Sequence, residues 1–182
     1  MTKKRYVGLT DTGEMYYVGI EIKRTDWSPL AQKFQERLLE MVMVENAGEK
    51  EIYNYVKEYR KHLREHPIED FIFEKVIDTS KVLKVKSKLV KVWESLGYEV
   101  RVTEKEGKKN YQCIAPRNEN LLGIKWIYSN GQPLGIPETA VMSEYKNKID
   151  YHWYYEYQIL PIAFRIAGSL DYTIGTKQTT LM

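Results

Sequence analysis

Three stretches hold residue types that could do chemistry. His62-Leu63-Arg64-Glu65-His66 sets two imidazoles at i and i+4 around a carboxylate. On one helical face that spacing could aim both rings at a zinc ion, with Glu65 as the base of a metal-assisted hydrolysis. Pro67 should end the helix at the second histidine, however, the flanks carry the charges of a solvated face, and the third histidine, His152, is far along the chain. Asp11-Thr12-Gly13 could suggest a metal-binding aspartate, but one carboxylate in a turn cannot build a two-metal site, and turn chemistry explains it better. Lys3-Lys4-Arg5-Tyr6 is the third stretch: three consecutive cations and an aromatic, running into an alternating strand. Read alone it is either a solvated basic tail or a grip for phosphates.

The elements that must position these residues can be read from periodicity. Tyr6 to Leu9 and Met15 to Ile22 alternate around Asp11-Thr12-Gly13 and predict a β-hairpin. Ser28-Pro29 predicts a helix start, with Leu30, Phe34, Leu38, Met41 and Val42 at helical spacing and Gly48 as a left-handed cap. A second amphipathic helix is expected from Lys50 to His66. Beyond it come a strand from Phe71 to Ile77, a helix from Lys88 to Leu96, and a hairpin of Tyr98–Thr103 with Tyr111–Ala115 about Glu106-Gly107. A strand from Leu122 to Tyr128, a turn at Asn130-Gly131 and an irregular connection from Pro133 to Pro137 follow. The last helix should span Asp150 to Ser169, kinked at Pro161. Residues 174–182 are expected to fray.

Bulk composition narrows the function classes. With 28 Lys and Arg against 25 Asp and Glu the net charge is +3. The excess is concentrated: Lys81, Lys84, Lys86, Lys88, Lys91, Arg101, Lys105, Lys108 and Lys109 face only Glu94, Glu99, Glu104 and Glu106 in the same span. Charge segregated in this way favours a polyanionic partner. The single Cys113 rules out an internal disulfide and fits a reducing compartment, so a cytoplasmic location is expected. No apolar run is long enough to span a bilayer, and no membrane partner is expected. Glycine-rich phosphate loops, Cys/His zinc sets and nucleophile triads are missing from the sequence.

Four segments, in order, resemble the carboxy-terminal part of an archaeal-type family B DNA polymerase. They are Lys3-Lys4-Arg5-Tyr6-Val7-Gly8-Leu9, the run Glu21-Ile22-Lys23-Arg24-Thr25-Asp26-Trp27-Ser28-Pro29-Leu30-Ala31, Gly97-Tyr98-Glu99-Val100-Arg101, and Tyr154-Tyr155-Glu156-Tyr157-Gln158-Ile159-Leu160-Pro161. The resemblance implies an α+β fold: a palm-edge β-hairpin (1–26), a helical thumb with a small antiparallel β subdomain (27–173) and a flexible tail (174–182). It implies that Lys3, Lys4, Arg5 and Tyr6 contact DNA near the primer terminus, and that Lys23 and Arg24 hold phosphates where the thumb begins. A Pro-Pro-His passage common in the family is missing between Lys81 and Leu89, where Lys84, Lys86 and Lys88 could replace it electrostatically.

The family's catalytic aspartates, nucleotide site and exonuclease lie upstream of the matched segments. The expectation is therefore a non-catalytic small subunit of a split polymerase, inactive alone, with no cofactor of its own and Mg2+ held in the active site of a large partner subunit. Primer-template duplex DNA is the expected ligand. Lys177-Gln178-Thr179-Thr180-Leu181-Met182 resembles the start of a sliding-clamp binding box through Gln178 and Leu181, without the aromatic pair that would fill the clamp's pocket. Two other readings stay open: a free-standing thumb-like protein that binds duplex DNA or modulates a polymerase, and a domain excised from a longer polymerase.

Overall fold

The computed structural model describes residues 6–12, 14–18 and 27–168. Strand β1 (Tyr6–Leu9) pairs antiparallel with β2 (Met15–Val18), Tyr6 opposite Val18 and Leu9 opposite Met15. The loop between them is closed by the Thr10 hydroxyl, which accepts from the Glu14 N–H at 3.0 Å and meets the Thr12 hydroxyl at 2.8 Å. This is the expected hairpin, and its turn residues act as turn chemistry. The continuation expected to Ile22 lies outside the described residues.

The chain divides into two compact units, Met1–Phe71 with Tyr151–Met182, and Ile72–Asp150. The first is built on α1 (Pro29–Met43) and α2 (Glu49–Lys61). Ser28 caps α1 as its sequence predicts, accepting from the Ala31 N–H, with Pro29 at the first helical position where no N–H is needed. Leu30, Phe34, Leu38 and Val42 repeat every four residues and are all buried, which is why this stretch folds as a helix against a core. The ring of Phe34 stacks on Tyr55 of α2 at 5.7 Å and meets Tyr59 at 4.8 Å.

The junction between the two helices differs from the expectation. Asn46, with φ of +52°, takes the left-handed position, and the Ala47 N–H closes on the Met41 carbonyl at 2.8 Å. Gly48 is instead the extended cap residue of α2. Asparagine tolerates the left-handed region through its short polar side chain, so glycine was not required there.

The last helix of this unit is α5 (Tyr151–Tyr154), a π-helical turn (Tyr155–Ile159) and α6 (Leu160–Gly168) in continuous succession. Pro161 was expected to kink it. The irregularity instead takes the form of a wide turn just ahead of the proline, in which the Leu160 N–H reaches back five residues to the Tyr155 carbonyl. Tyr154 is fully buried and donates its hydroxyl to the Phe71 carbonyl, with the Phe71 ring edge-on to it at 5.0 Å. Phe71 thus closes a 3-10 turn (Ile68–Phe71) rather than opening a strand. Arg60 and Arg64, on and just after α2, lie over the rings of Tyr155 and Tyr151 at 5.0 and 4.6 Å, so cation–π contacts join α2 to the last helix.

The second unit carries a three-stranded antiparallel sheet in the order β3 (Phe73–Asp78), β6 (Leu121–Ser129), β7 (Gln132–Ile136). Ile124 and Trp126 are buried while Gly123 and Lys125 are exposed, and Phe73 stacks on Trp126 across the strands at 5.5 Å. Asn130 and Gly131 both take positive φ, the two-residue turn that matches strand twist, and Asp150 braces it by accepting from the Gly131 N–H at 2.8 Å.

Residues 133–137, expected as an irregular connection, supply strand β7 instead. Pro133 is tolerated because β7 is an edge strand, where a missing N–H breaks no ladder bond. Gly135 lets α3 (Lys88–Ser95) approach, and its N–H donates to the Ser95 hydroxyl at 2.7 Å. Strands β4 (Val100–Lys105) and β5 (Lys108–Cys113) form a separate ribbon. A short helix α4 (Met142–Lys146), which no sequence signal marked, completes the unit. The observed mixture of helices and antiparallel sheets is the α+β fold expected.

Candidate nucleic-acid interface

The predicted contacts fall in three places. Lys3, Lys4, Arg5, Lys23, Arg24, Gln178 and Leu181 lie outside the described residues. Tyr6 is the first residue of β1 and is held in register by Val18. Lys84, Lys86 and Lys88 are all exposed, on the loop from Thr79 to Ser87 and the first turn of α3.

That loop is tied down along its length. Leu83 exchanges both backbone hydrogen bonds with Tyr111 of β5, at 2.7 and 2.8 Å, and the Gln112 side-chain amide donates to the Thr79 carbonyl at 3.4 Å. Asp78 accepts from the Ser80 N–H at 3.0 Å as well as from its hydroxyl, and the Ser80 contacts are the main reason its carboxyl titrates below the ordinary range. The loop therefore runs against β5, carrying Lys84 beside the ribbon. Lys86 pairs with Glu94 at 3.2 Å, with both side chains well exposed, whereas Lys84 and Lys88 have no ion pair among the described residues. An exposed pair of this kind is worth little and can be exchanged for a phosphate.

Helix α3 adds to this. Ser87 stands at its N-cap without a side-chain capping bond, no acid occupies the first turn, and Lys88 is the first helical residue. The free amides at a helix start favour an anion and disfavour a cation, so this terminus is electrostatically unsaturated.

The ribbon has two chemically distinct faces. Glu106 and Gly107 both take positive φ, at 54° and 73°, so a two-residue turn sets the register. Strand alternation then puts Arg101 opposite Gln112, Thr103 opposite Asn110 and Lys105 opposite Lys108 on one face. The other face pairs Val100 with Cys113, Val102 with Tyr111 and Glu104 with Lys109. Arg101, Lys105 and Lys108 are exposed, and none is ion-paired among the described residues. Sequence reading placed these three within a basic span but not on one face. The signal that could have found them is the parity fixed by the two-residue turn. Cys113, on the face shared by Val100, Val102 and Tyr111, is 3% exposed, and burial raises its thiol above the ordinary range, which fits packing and not reactivity.

The pattern from His62 to His66 does not form a metal site. Helix α2 ends at His62, so the two imidazoles do not share a helical face. His62 contacts Glu65 at 3.0 Å and Glu58 at 3.5 Å, and these carboxylates, Glu65 foremost, raise its pKa. His66 instead turns to Asp70 at 3.3 Å and packs on the Tyr59 ring. Among the described residues no three His, Cys, Asp or Glu side chains gather as metal ligands, and Asp11 stands in its turn without a second carboxylate. No helix among them is long and apolar enough to cross a membrane.

The family model for DNA polymerase family B matches residues 1–170. The chain belongs to DNA polymerase family B. Among curated relatives it is 26% identical over 191 residues to a DNA polymerase of Pyrococcus glycovorans, covering 100% of this chain and 23% of that one. It is 30% identical over 179 residues to a DNA polymerase of Archaeoglobus fulgidus, covering 94% of this chain and 22% of that one. DNA polymerase II of Escherichia coli matches at 23% identity, over 98% of this chain and 21% of its own. The chain thus spans less than a quarter of the length of these family B relatives. In fold it is similar to the family B DNA polymerase from Pyrobaculum calidifontis, with a TM-score of 0.62 at 22% identity, over 92% of this chain and 20% of that structure.

Proposed function

We propose that this chain is the non-catalytic, DNA-gripping small subunit of a split family B DNA polymerase. The reading rests on one observation: the family match runs across residues 1–170, yet the described part of that span assembles no cluster of carboxylates able to hold paired metal ions. In this reading a large partner subunit supplies the metals, the nucleotide site and the exonuclease. Residues 1–26 form the palm edge, with the β1–β2 hairpin adding strands to the partner's sheet, and residues 27–173 form the thumb.

Lys3, Lys4, Arg5 and Tyr6 grip the primer end, Lys23 and Arg24 hold phosphates at the thumb entrance, and Lys84, Lys86 and Lys88 hold the duplex behind it. Contact through phosphates suits an assembly that must copy any sequence. Gln178 and Leu181 engage a sliding clamp weakly. The chain alone has no polymerase activity.

The test is reconstitution. A family B chain that ends after its catalytic aspartates should extend a primer only when mixed with this protein, and Lys3→Ala, Lys4→Ala and Arg5→Ala together should abolish that extension. A mixture no more active than the large chain alone would sink the reading. Extension that survives the triple change, with only the affinity for DNA lowered, would instead favour a free-standing DNA-binding protein.

A further inference from the structure

The first unit carries a groove that the DNA-gripping role does not use. Between the end of α2 and the last helix lies a cavity of about 430 Å³. Tyr155, Leu160, Pro161 and Phe164 give it an apolar lining, to which Tyr157, 56% exposed, also contributes. A second cavity of about 200 Å³ shares Arg60 and Tyr155 with the first and continues to Arg64 and Tyr151. The two form one groove along the helix, and all of these residues belong to the first unit.

The groove differs in chemistry from end to end. Arg60 lies over the Tyr155 ring and Arg64 over Tyr151; both arginines are exposed, and neither is ion-paired among the described residues. Stacking on a ring fixes the plane of a guanidinium and leaves its N–H edge free for a carboxylate. The acid of the apolar end, Glu156, is already held by His152 at 3.1 Å. Two unneutralised cations therefore stand beside an apolar cavity whose size is in the range of natural ligand sites, which begins at about 300 Å³.

The dimensions select the ligand. Tyr151 and Tyr155 are about one helical turn apart, so the arginines over them are separated by roughly 6 Å along the helix, at about 1.5 Å per residue. Alternate side chains of an extended chain project to one side about 6.6 Å apart, close to that spacing. One turn of helix, about 10 Å wide and about 5.4 Å long, would occupy roughly 420 Å³, about twice the smaller cavity. An extended segment fits where a helix does not. A nucleic-acid strand fits less well, because stacking needs open ring faces, whereas Tyr155 is 6% exposed with Arg60 over it, and evenly spaced phosphates would be carried past Glu156.

We propose that this groove docks an extended segment of another protein, with acidic residues at two alternate positions on Arg64 and Arg60 and a bulky apolar residue in the cavity beyond. This surface goes beyond the DNA-gripping role and does not depend on it.

The experiment pans a displayed library of random peptides of about twelve residues against the full chain, and against the variant Arg60→Gln, Arg64→Gln, then titrates the labelled consensus peptide by fluorescence anisotropy. Peptides retained only by the unaltered chain should share the pattern acid, any residue, acid, any residue, aromatic or large aliphatic. The double variant should bind the consensus at least about tenfold more weakly, and Tyr157→Ala at least about threefold. Charge reversal supplies a gain: Arg60→Glu, Arg64→Glu should prefer the peptide whose two acids are replaced by lysine. Lys50→Gln, Lys125→Gln removes equal charge from exposed positions outside the groove and should bind as the unaltered chain does. Arg60 and Arg64 also join α2 to the last helix, so the exposed Tyr157→Ala keeps the test decisive if the arginine variants unfold. Retained peptides without the pattern, consensus binding unmoved by Tyr157→Ala, an equal loss in the charge-matched control, or a groove that takes a single-stranded oligonucleotide and no peptide would each overturn the proposal. Primer extension in the reconstituted pair reads the subunit function separately, so either can fail while the other stands.

Discussion

Ser28 and Gln158, 130 residues apart, share one buried oxygen. Oε1 of Gln158 accepts from the Ser28 N–H at 3.0 Å and from its hydroxyl at 2.8 Å, while the same hydroxyl accepts from the Ala31 N–H at 3.2 Å. Both side chains are nearly or fully buried. Two segments that resemble the family in sequence, Trp27-Ser28-Pro29 and the stretch ending Gln158-Ile159-Leu160-Pro161, thus meet in one polar contact, and the guanidinium of Arg165 lies over the Trp27 ring at 5.3 Å beside it.

Gln158→Leu should therefore destabilise the protein by about 2 to 3 kcal/mol, because it strands two buried donors. Ser28→Ala should cost about 1 to 2 kcal/mol through the lost cap. In urea titrations the double variant should show a coupling of at least about 0.5 kcal/mol. Strict additivity would mean that the contact does not form.

A similar argument applies to Asp70, 4% exposed, which receives Lys33 at 2.6 Å and His66 at 3.3 Å. Lys33 itself is 66% exposed along its side chain, so the carboxylate carries the burial and the lysine keeps its solvent. Asp70→Leu, which removes the buried charge, should cost less than Lys33→Ala combined with His66→Ala, which leaves it unpaired at a penalty of about 3 kcal/mol. Chemical denaturation of the two variants decides the order.

The imidazole of His62 titrates above its usual value because Glu65 and then Glu58 favour the charged form. A raised folded pKa stabilises the protein below the unfolded value, and that contribution is lost as pH rises through the folded one. Proton NMR should find the His62 midpoint above about 6.5, and Glu65→Gln should bring it down. The side chain is exposed, so the melting temperature should barely respond.

Gly135 is packed closely against the end of α3. A methyl group there would stand 2.5 Å from Leu96 Cγ and 2.8 Å from its Cδ2. Gly135→Ala should cost about 1 to 3 kcal/mol as α3 is pushed from β7. The buried thiol of Cys113 should report that loosening, reacting slowly with a thiol reagent in the native protein and faster in the variant.

Helices α1 and α3, the β4–β5 hairpin, and strand β6 with its Asn130-Gly131 turn were legible because hydrophobic period and turn residues agree within each. The failures have identifiable causes. Strand β7 carries Pro133 and Gly135 in five residues, which locally read as breakers, and only its edge position and the close approach of α3 make them suitable. Helix α2 was drawn too long because the apolar period continues through Leu63, although that residue is buried from a 3-10 turn. Lys86 is partnered by Glu94, a pairing that depends on the path of the loop and that eight residues of sequence separation do not announce. The left-handed Asn46 could be mistaken because two residues of the same short linker can both adopt that conformation.

The wide turn at Tyr155–Ile159 behaves as one residue too many in an otherwise regular helix. Each helical residue turns the chain by about 100°, so the extra one sets the rotational phase between Tyr151–Tyr154 and Leu160–Gly168. Without it, Tyr154 could not face Phe71 while Ile162 and Ile166 remain in the core. Along this helix, therefore, chain length matters as well as side-chain identity: apart from Gln158, conservative substitutions within the turn should be absorbed, whereas removing a single residue from it would put one half of the helix out of phase with the other.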